Sequence, residues 1–204
     1  PFSSSFANAL GGYVQDQISF RENLHLLIGA RGDYFYQHST VVGQETKAEN
    51  YGFSPRIGLT YQPIQQVAIY ANVSRSFIPT FGPFAAASNV FKPTTGTQYE
   101  AGIKTEIVPG RLTSTLAVYR ILKKDVLATD PTNPLFLVQT GAQRSQGIEF
   151  DLTAQLMPGW KVIATYAYTD ARIAADTTIP VGNRLPLVGR HTGSFWTTYD
   201  FQNG

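Results

Sequence analysis

The 204-residue sequence has no cysteine, which excludes a disulfide framework and cysteine-ligated zinc. Charge is scarce as well: Asp, Glu, Lys and Arg make up 15% of the chain, against about 25% in ordinary soluble domains. The formal net charge is only +2. The basic residues are scattered, so nothing marks an electrostatic surface for nucleic acid. No apolar run approaches the roughly 18 residues of a transmembrane helix, and the opening PFSSSF has neither region of a secretory leader. Helical periodicity is missing from every long window. His25, His38 and His191 have neither a His-x-x-x-His spacing nor a carboxylate at ligand spacing, so no metal site is expected. Ser3, Ser4, Ser5 and Ser145 lack the turn context of a nucleophile elbow.

What the sequence does have is strict alternation. In TQYEAGIKTEIVPGR, Tyr99, Ala101, Ile103, Thr105 and Ile107 alternate with Glu100, Gly102, Lys104 and Glu106. That is a strand with one apolar and one charged face. The pattern recurs over residues 24–36, 51–62, 67–73, 146–156 and 160–168. Asp16 and Arg120 break it by falling in phase with apolar neighbours. The connections are of two alternating kinds. Short turns are expected at residues 21–23, 63–66, 109–111 and 157–160, two of them carrying Pro-Gly, with another opening at 202–204. Longer polar loops are expected near 38–50, 79–96, 125–144 and 175–189. The hairpins repeat about every 45 residues, a period that also suits a WD40-type propeller blade. A blade, however, holds four short strands per period, whereas each period here holds two long ones.

Long strands with short turns at one end and long loops at the other fit a transmembrane antiparallel up-and-down β-barrel. In that all-β reading Ile103, Ile107, Leu59, Ile148, Phe150 and Leu152 face lipid. Arg31, Arg56, Glu100, Lys104, Glu106, Glu149 and Asp151 form a polar interior wall, with Arg144 as a further positive partner. The reverse register would place Lys104 in hydrocarbon at up to about 2–4 kcal/mol. Aromatics near the strand ends (Phe20, Tyr61, Trp160 and Phe201 at short turns; Tyr34, Tyr36, Tyr51, Tyr99 and Tyr168 toward long loops) suit two interfacial girdles. A soluble β-sandwich would give the same alternation, so that alternative stays open at this level.

Several stretches resemble the β-barrel of TonB-dependent receptors, in the ferric-siderophore branch: LIGARGDYF, FSPRIGLTYQP, KPTTGTQYEAGIK, VQTGAQRSQGIEFDL, TYAYTDARI and VGNRLPLVGRHTGSFWTTYDF. The resemblance runs in order along nearly all of the chain. It implies a 22-stranded outer-membrane barrel filled by an N-terminal plug and embedded in outer-membrane lipid of a Gram-negative-type bacterium. It also implies uptake of a ferric siderophore energised through TonB. Against that pattern, residues 1–204 are expected to be a partial barrel of about nine strands from the C-terminal half, without the plug that meets TonB. A passive porin-like channel and a barrel enzyme such as a lipase are the alternatives.

Under this resemblance iron arrives already chelated, so no resident cofactor, no metal ligand and no catalytic residue is expected. Phe81, Phe84 and Phe91 share one long loop and are candidates for contact with the flat, largely apolar shell of a chelate. Packing of the loop itself is the competing role. Arg184 and Arg190 flank another long loop and are candidates for attracting an anionic chelate.

Overall fold

The computed structural model of the chain describes residues 3–41, 44–80 and 91–201. It is a single nine-stranded sheet in which every strand pairs antiparallel with its sequence neighbours and with no others. The strands are β1 (Ser3–Arg21), β2 (Leu24–Val41), β3 (Gln44–Ile64), β4 (Val67–Ile78), β5 (Thr94–Val108), β6 (Leu112–Thr129), β7 (Leu137–Met157), β8 (Trp160–Ala175) and β9 (His191–Tyr199). The sheet is not closed, as befits part of a barrel, and no helix occurs among the described residues.

The short turns at 21–23, 63–66, 109–111 and 157–160 fall where expected, and the one expected to open at 202–204 lies outside the described residues. Two carry Pro followed by a glycine at positive φ: Gly110 at +67° and Gly159 at +82°. Proline presets the second turn position, and glycine takes the left-handed third one without a Cβ penalty. The Arg111 amide closes the first turn on the Val108 carbonyl at 2.9 Å.

Two expected loops are corrected. Residues 38–50 belong largely to strands: β2 and β3 stay paired up to Val41 and Gln44. Of residues 125–144, only the stretch 130–136 is irregular, since β6 runs to Thr129 and β7 starts at Leu137. The cause is physical. A sheet that rises beyond the bilayer meets water on both faces, so its strands carry no apolar alternation and read as loop. β3 illustrates this, because it pairs with β4 only from Arg56 downward, while its upper part pairs with β2 alone.

The register brings like faces together. Ile69, Ile103, Leu116, Phe150 and Tyr166 are successive cross-strand partners. So are Tyr70, Gly102, Ala117, Glu149 and Ala167. On β4 the first face is open to the surroundings at Ile69, Ala71 and Val73, while Tyr70, Asn72 and Ser74 are half-buried. Side chains splay on the convex face of a curved sheet and converge on the concave one. The apolar face is therefore the outer one. Two hydroxyls on this face satisfy each other: Thr105 and Ser114 share a 2.8 Å hydrogen bond, the arrangement that hydrocarbon favours.

Candidate functional site

The charged residues expected inside the barrel share one face of the sheet, the one opposite Ile103 and Phe150. Arg31 partners Tyr13 and Ser54, and Arg56 partners Gly29 and Ser74. Glu100 partners Asn72 and Tyr119, while Lys104 lies across Thr115 from Asp151. Glu149 and Asp151 continue the same face of β7. Glu106 is in phase with them and accepts the Gly110 amide at 2.7 Å, so it braces its own turn. Arg31 is paired within its strand, at 2.6 Å from Asp33.

Glu100 is the best-connected member. It accepts hydrogen bonds from the Tyr70 hydroxyl and from Gln98 Nε2, both at 2.8 Å. Lys104 Nζ sits 5.2 Å from the centre of the Tyr70 ring, in cation–π range. The carboxylate, phenol and ammonium thus form one fixed polar patch at mid-height. Tyr70→Phe is expected to cost about 1 kcal/mol, the usual net worth of a hydrogen bond. Chemical denaturation of the complete, folded receptor measures it. Among the described residues, no group of three or more His, Asp or Glu side chains gathers in a way that could hold a metal ion.

Arg144 is corrected. It shares parity with Ile148 and Phe150 on β7, without a register shift between them, and so lies on the outer face. Its neighbours in sequence are all polar, which hides the parity. Arg184 and Arg190 are corrected too. Arg184 bridges Arg172, the partner of Arg144, and the Arg190 guanidinium lies 5.9 Å from the outward-facing Tyr168 ring. The segment before β9 folds back along the free edge of β8: Gly182 N donates to Ile173 O at 2.9 Å and Leu185 N to Ala171 O at 3.0 Å. Both arginines therefore stand outside the barrel, not over its mouth.

The aromatic loop is divided. Phe81 and Phe84 lie outside the described residues. Phe91 is only 8% exposed, which corrects its assignment as a surface contact. Sequence reasoning missed the clamp that holds its end of the loop: Gln139 pairs with both the amide and the carbonyl of Lys92 and also donates to Asp125 O at 3.0 Å.

Two other loops are held by aspartates. Asp176 accepts from the Ile179 and Thr178 amides at 2.8 Å, and Asp130 from the Thr132 hydroxyl at 2.7 Å and amide at 2.8 Å. The Ile179 amide, then Thr178, holds the Asp176 carboxyl below the ordinary carboxylate range. For Asp130 the Thr132 hydroxyl does so first, then the Thr132 amide. A lowered folded-state pKa contributes stability above the ordinary value and loses it as pH falls through the lowered one. Hydrogen exchange at the Thr132 and Ile179 amides is accordingly expected to stay slow at neutral pH, corrected for intrinsic rate, and to lose protection only below the ordinary aspartate range.

The aromatics complete the outer wall. Tyr34 and Tyr51 pack 5.1 Å apart toward the long-loop end. At the short-turn end Tyr199 and Phe201 pack edge-on at 4.7 Å, and Trp160 donates to Thr197 at 2.8 Å. These are two aromatic belts bounding an apolar band.

The model of the family described as TonB dependent receptor-like, beta-barrel, matches residues 1–204. The chain is 37% identical over 205 residues to the metal-pseudopaline receptor CntO of Pseudomonas aeruginosa, with 97% of this chain and 29% of that protein covered. It is 35% identical to the ferrichrome outer membrane transporter/phage receptor of Escherichia coli, covering 95% of this chain and 26% of that one. It thus spans under a third of the length of these relatives. Among solved structures, the ferric-catecholate import receptor Fiu of E. coli superposes with a TM-score of 0.84 at 18% identity, over 98% of this chain and 33% of that chain. The chain belongs to the TonB-dependent receptor β-barrel family of the outer membrane.

Proposed function

We propose that this chain is part of the transport barrel of a receptor that takes up a ferric siderophore across the outer membrane, energised through TonB. The observation that carries the reading is the division of the sheet into an apolar outer band between aromatic belts and a charged inner wall centred on Glu100, Tyr70 and Lys104. Relatives named for metal-pseudopaline, ferrichrome, ferrioxamine B and ferripyoverdine support the ligand class. In this reading the inner wall meets the plug that links to TonB, and the long-loop end is the cell surface. The chain performs no catalytic step, and iron reaches it as a finished chelate. A passive porin has no need of a plug and would pass small solutes without TonB.

With Arg184 and Arg190 outside the barrel, capture falls to Phe81 and Phe84, which favours a neutral or apolar chelate face. The test is binding of a panel of ferric chelates (hydroxamate, catecholate and mixed) by the complete receptor. Phe81→Ala/Phe84→Ala is expected to weaken its preferred chelate by about 1–3 kcal/mol, the range for truncated interface anchors. Phe91 is left intact because truncating a buried ring would confound binding with folding. Unchanged affinity in a folded receptor would remove the aromatic loop from capture. Failure of every chelate to bind or to support TonB-dependent growth would remove the siderophore reading.

A further inference from the structure

The ladder between β3 and β4 ends early. Its last pair toward the long-loop end is Arg56 with Ser74, although both strands run on past that point. Proline explains the stop. The Gln62 amide donates to the Asn23 carbonyl on the β2 side. Main-chain groups alternate in direction along a strand, so the even-numbered residues of β3 bond toward β2 and the odd-numbered ones toward β4. Position 55 is the next that would donate to β4, and it is proline, which has no N–H. On β4 the even-numbered residues bond toward β5, as the Glu106 amide on the Gln66 carbonyl fixes. The Arg75 amide therefore turns toward the gap.

A cavity of about 360 Å³ lies at this parting. Ser54 and Arg56 line it from β3, Ser74 and Ser76 from β4, and Arg31 from β2. These belong to the inner face: Arg56 partners Ser74 and Gly29, and Arg31 partners Ser54. Two glycines make room for the guanidiniums. Arg56 Nε and Cγ lie 3.0 and 3.2 Å from where a Cβ of Gly29 would stand, and Arg31 Nη2 lies over Gly11. No carboxylate lines the cavity. Nearby Asp33, its side chain 6% exposed, is already held by Arg31 Nε at 2.9 Å and Nη2 at 2.6 Å. Arg31 is itself half exposed and has Nη1 left over. Among the described ion pairs none includes Arg56. The height of the cavity matters as well. Ser74 pairs with Gln98, two residues above Glu100 on β5. At about 3.3 Å per residue and a tilt of about 40°, Arg56 stands roughly 5 Å nearer the long-loop end than the Glu100 patch. Below it the wall turns acidic, with Glu100, Glu149 and Asp151. An anion entering from the long-loop end meets Arg31 and Arg56 before those carboxylates.

We propose that Arg31 and Arg56, with the Ser54, Ser74 and Ser76 hydroxyls, form a subsite on the luminal wall for a free carboxylate arm of the incoming ferric chelate. The guanidinium fork matches carboxylate oxygens two at a time. A water molecule takes about 30 Å³ of liquid, so the cavity has room for a short arm and excludes the bulk of a chelate. The mouth then takes the apolar shell while the wall takes the arm. The subsite rests on the uptake reading and narrows it to chelates that keep an ionised carboxylate outside the coordination shell of the iron.

Two derivatives of ferrioxamine B isolate the arm. Succinylation of its terminal amine leaves a free carboxylate, acetylation leaves a methyl group, and both remove the cationic ammonium. The complete receptor in detergent micelles is titrated with each and read by quenching of its tryptophan fluorescence. The succinylated form is expected to bind about tenfold more tightly, the scale of one charge-assisted hydrogen bond. Arg56→Gln should abolish that preference. Arg56→Lys should keep part of it, because the charge remains and the fork is lost. Gly29→Ala keeps both arginines but puts a methyl group where Arg56 lies, and should weaken the preference too. Heat-modifiable migration shows which variants fold, and if the glutamine variant does not, the partial loss in Arg56→Lys carries the comparison. Equal affinity for the two derivatives in the unmodified receptor, or an unaltered preference in a folded Arg56→Gln receptor, would overturn the proposal. Lower thermal stability of Arg56→Gln with its preference intact would overturn it in favour of a plug carboxylate as the partner of Arg56. Failure of both derivatives while another ferric chelate binds would overturn the subsite and leave the uptake reading standing. Failure of every chelate would remove both.

Discussion

Ile103→Arg is expected to cost the complete receptor about 2–4 kcal/mol of folding free energy in a bilayer, the penalty for an arginine on the lipid face near the midplane. Ile103 lies in the register row Ile69, Leu116, Phe150 and Tyr166, in the middle of the apolar band and 42% exposed. Thr115→Arg places the same side chain on the inner wall, between Lys104 and Asp151. It is expected to cost less than Ile103→Arg, because the charge there meets a polar wall with Asp151 beside it and not hydrocarbon. Urea titration of receptor folded into lipid vesicles, followed by tryptophan fluorescence, measures both. The pair of variants tests facing directly. Equal costs at the two positions would mean that neither face is set against lipid, and a larger cost at Thr115 would invert the sheet.

This asymmetry was legible in the sequence because the bilayer writes it there: a two-residue period that keeps most of the charge to one face, with Asp16 and Arg120 as exceptions. The Pro-Gly turns were legible for a similarly local reason, since one left-handed position per turn demands glycine. What could not be read was whatever the membrane does not impose. The β2–β3 hairpin rises above the part of β3 that pairs with β4, and its QHSTVVGQETKAEN stretch shows no period. Arg144 looked like a member of the charged wall because alternation fades just where the strand leaves the hydrocarbon. Arg184 sits in what reads as a loop, and only the fold-back of that segment along β8 brings it into register with Arg172. Phe91 carries no sign in the sequence of the Gln139 clamp that holds its neighbour, because Gln139 is 47 positions from Lys92. Cross-strand register depends on bulges, such as those between Lys123 and Val126 on β6. Side-by-side residues on different strands are therefore a product of the fold and not of any local pattern.

The inner face holds a second feature of this kind, aromatic rings laid over glycines of the next strand, and it yields the other large expected effect. Tyr70 covers Gly102, where an added Cβ would lie 2.7 Å from the ring and 2.6 Å from the Leu116 carbonyl oxygen. Tyr119 covers Gly147, and its hydroxyl meets Thr169 Oγ1 at 3.2 Å. A different close approach lies where β3 and β4 part: the Phe77 ring, in phase with Ile69 and Val73 on β4, occupies the space above Gly52 of the preceding strand. A ring over a strand glycine restores the contacts that the missing side chain forgoes. At Gly147 a Cβ would fall on the Tyr168 carbonyl oxygen and 3.0 Å from the Tyr119 hydroxyl. That carbonyl is main chain of the paired β7–β8 ladder and cannot step aside without disturbing the pairing. Gly147→Ala is expected to destabilise the folded receptor by about 1–3 kcal/mol, the range for overpacking. Gly12→Ala and Gly32→Ala, with nothing within 4 Å of the new Cβ, should be neutral or stabilising by up to about 1 kcal/mol, since alanine suits a strand better than glycine. A second variant separates the cause. The atoms nearest the new Cβ at Gly52 all belong to Phe77, so Phe77→Ala should relieve the crowding in Gly52→Ala. Tyr119→Ala should leave Gly147→Ala crowded, because its obstacle is backbone. Thermal loss of the compact, heat-modifiable form reads all of these, and a Gly147→Ala receptor as stable as Gly12→Ala would refute the close approach of β7 and β8 at that point.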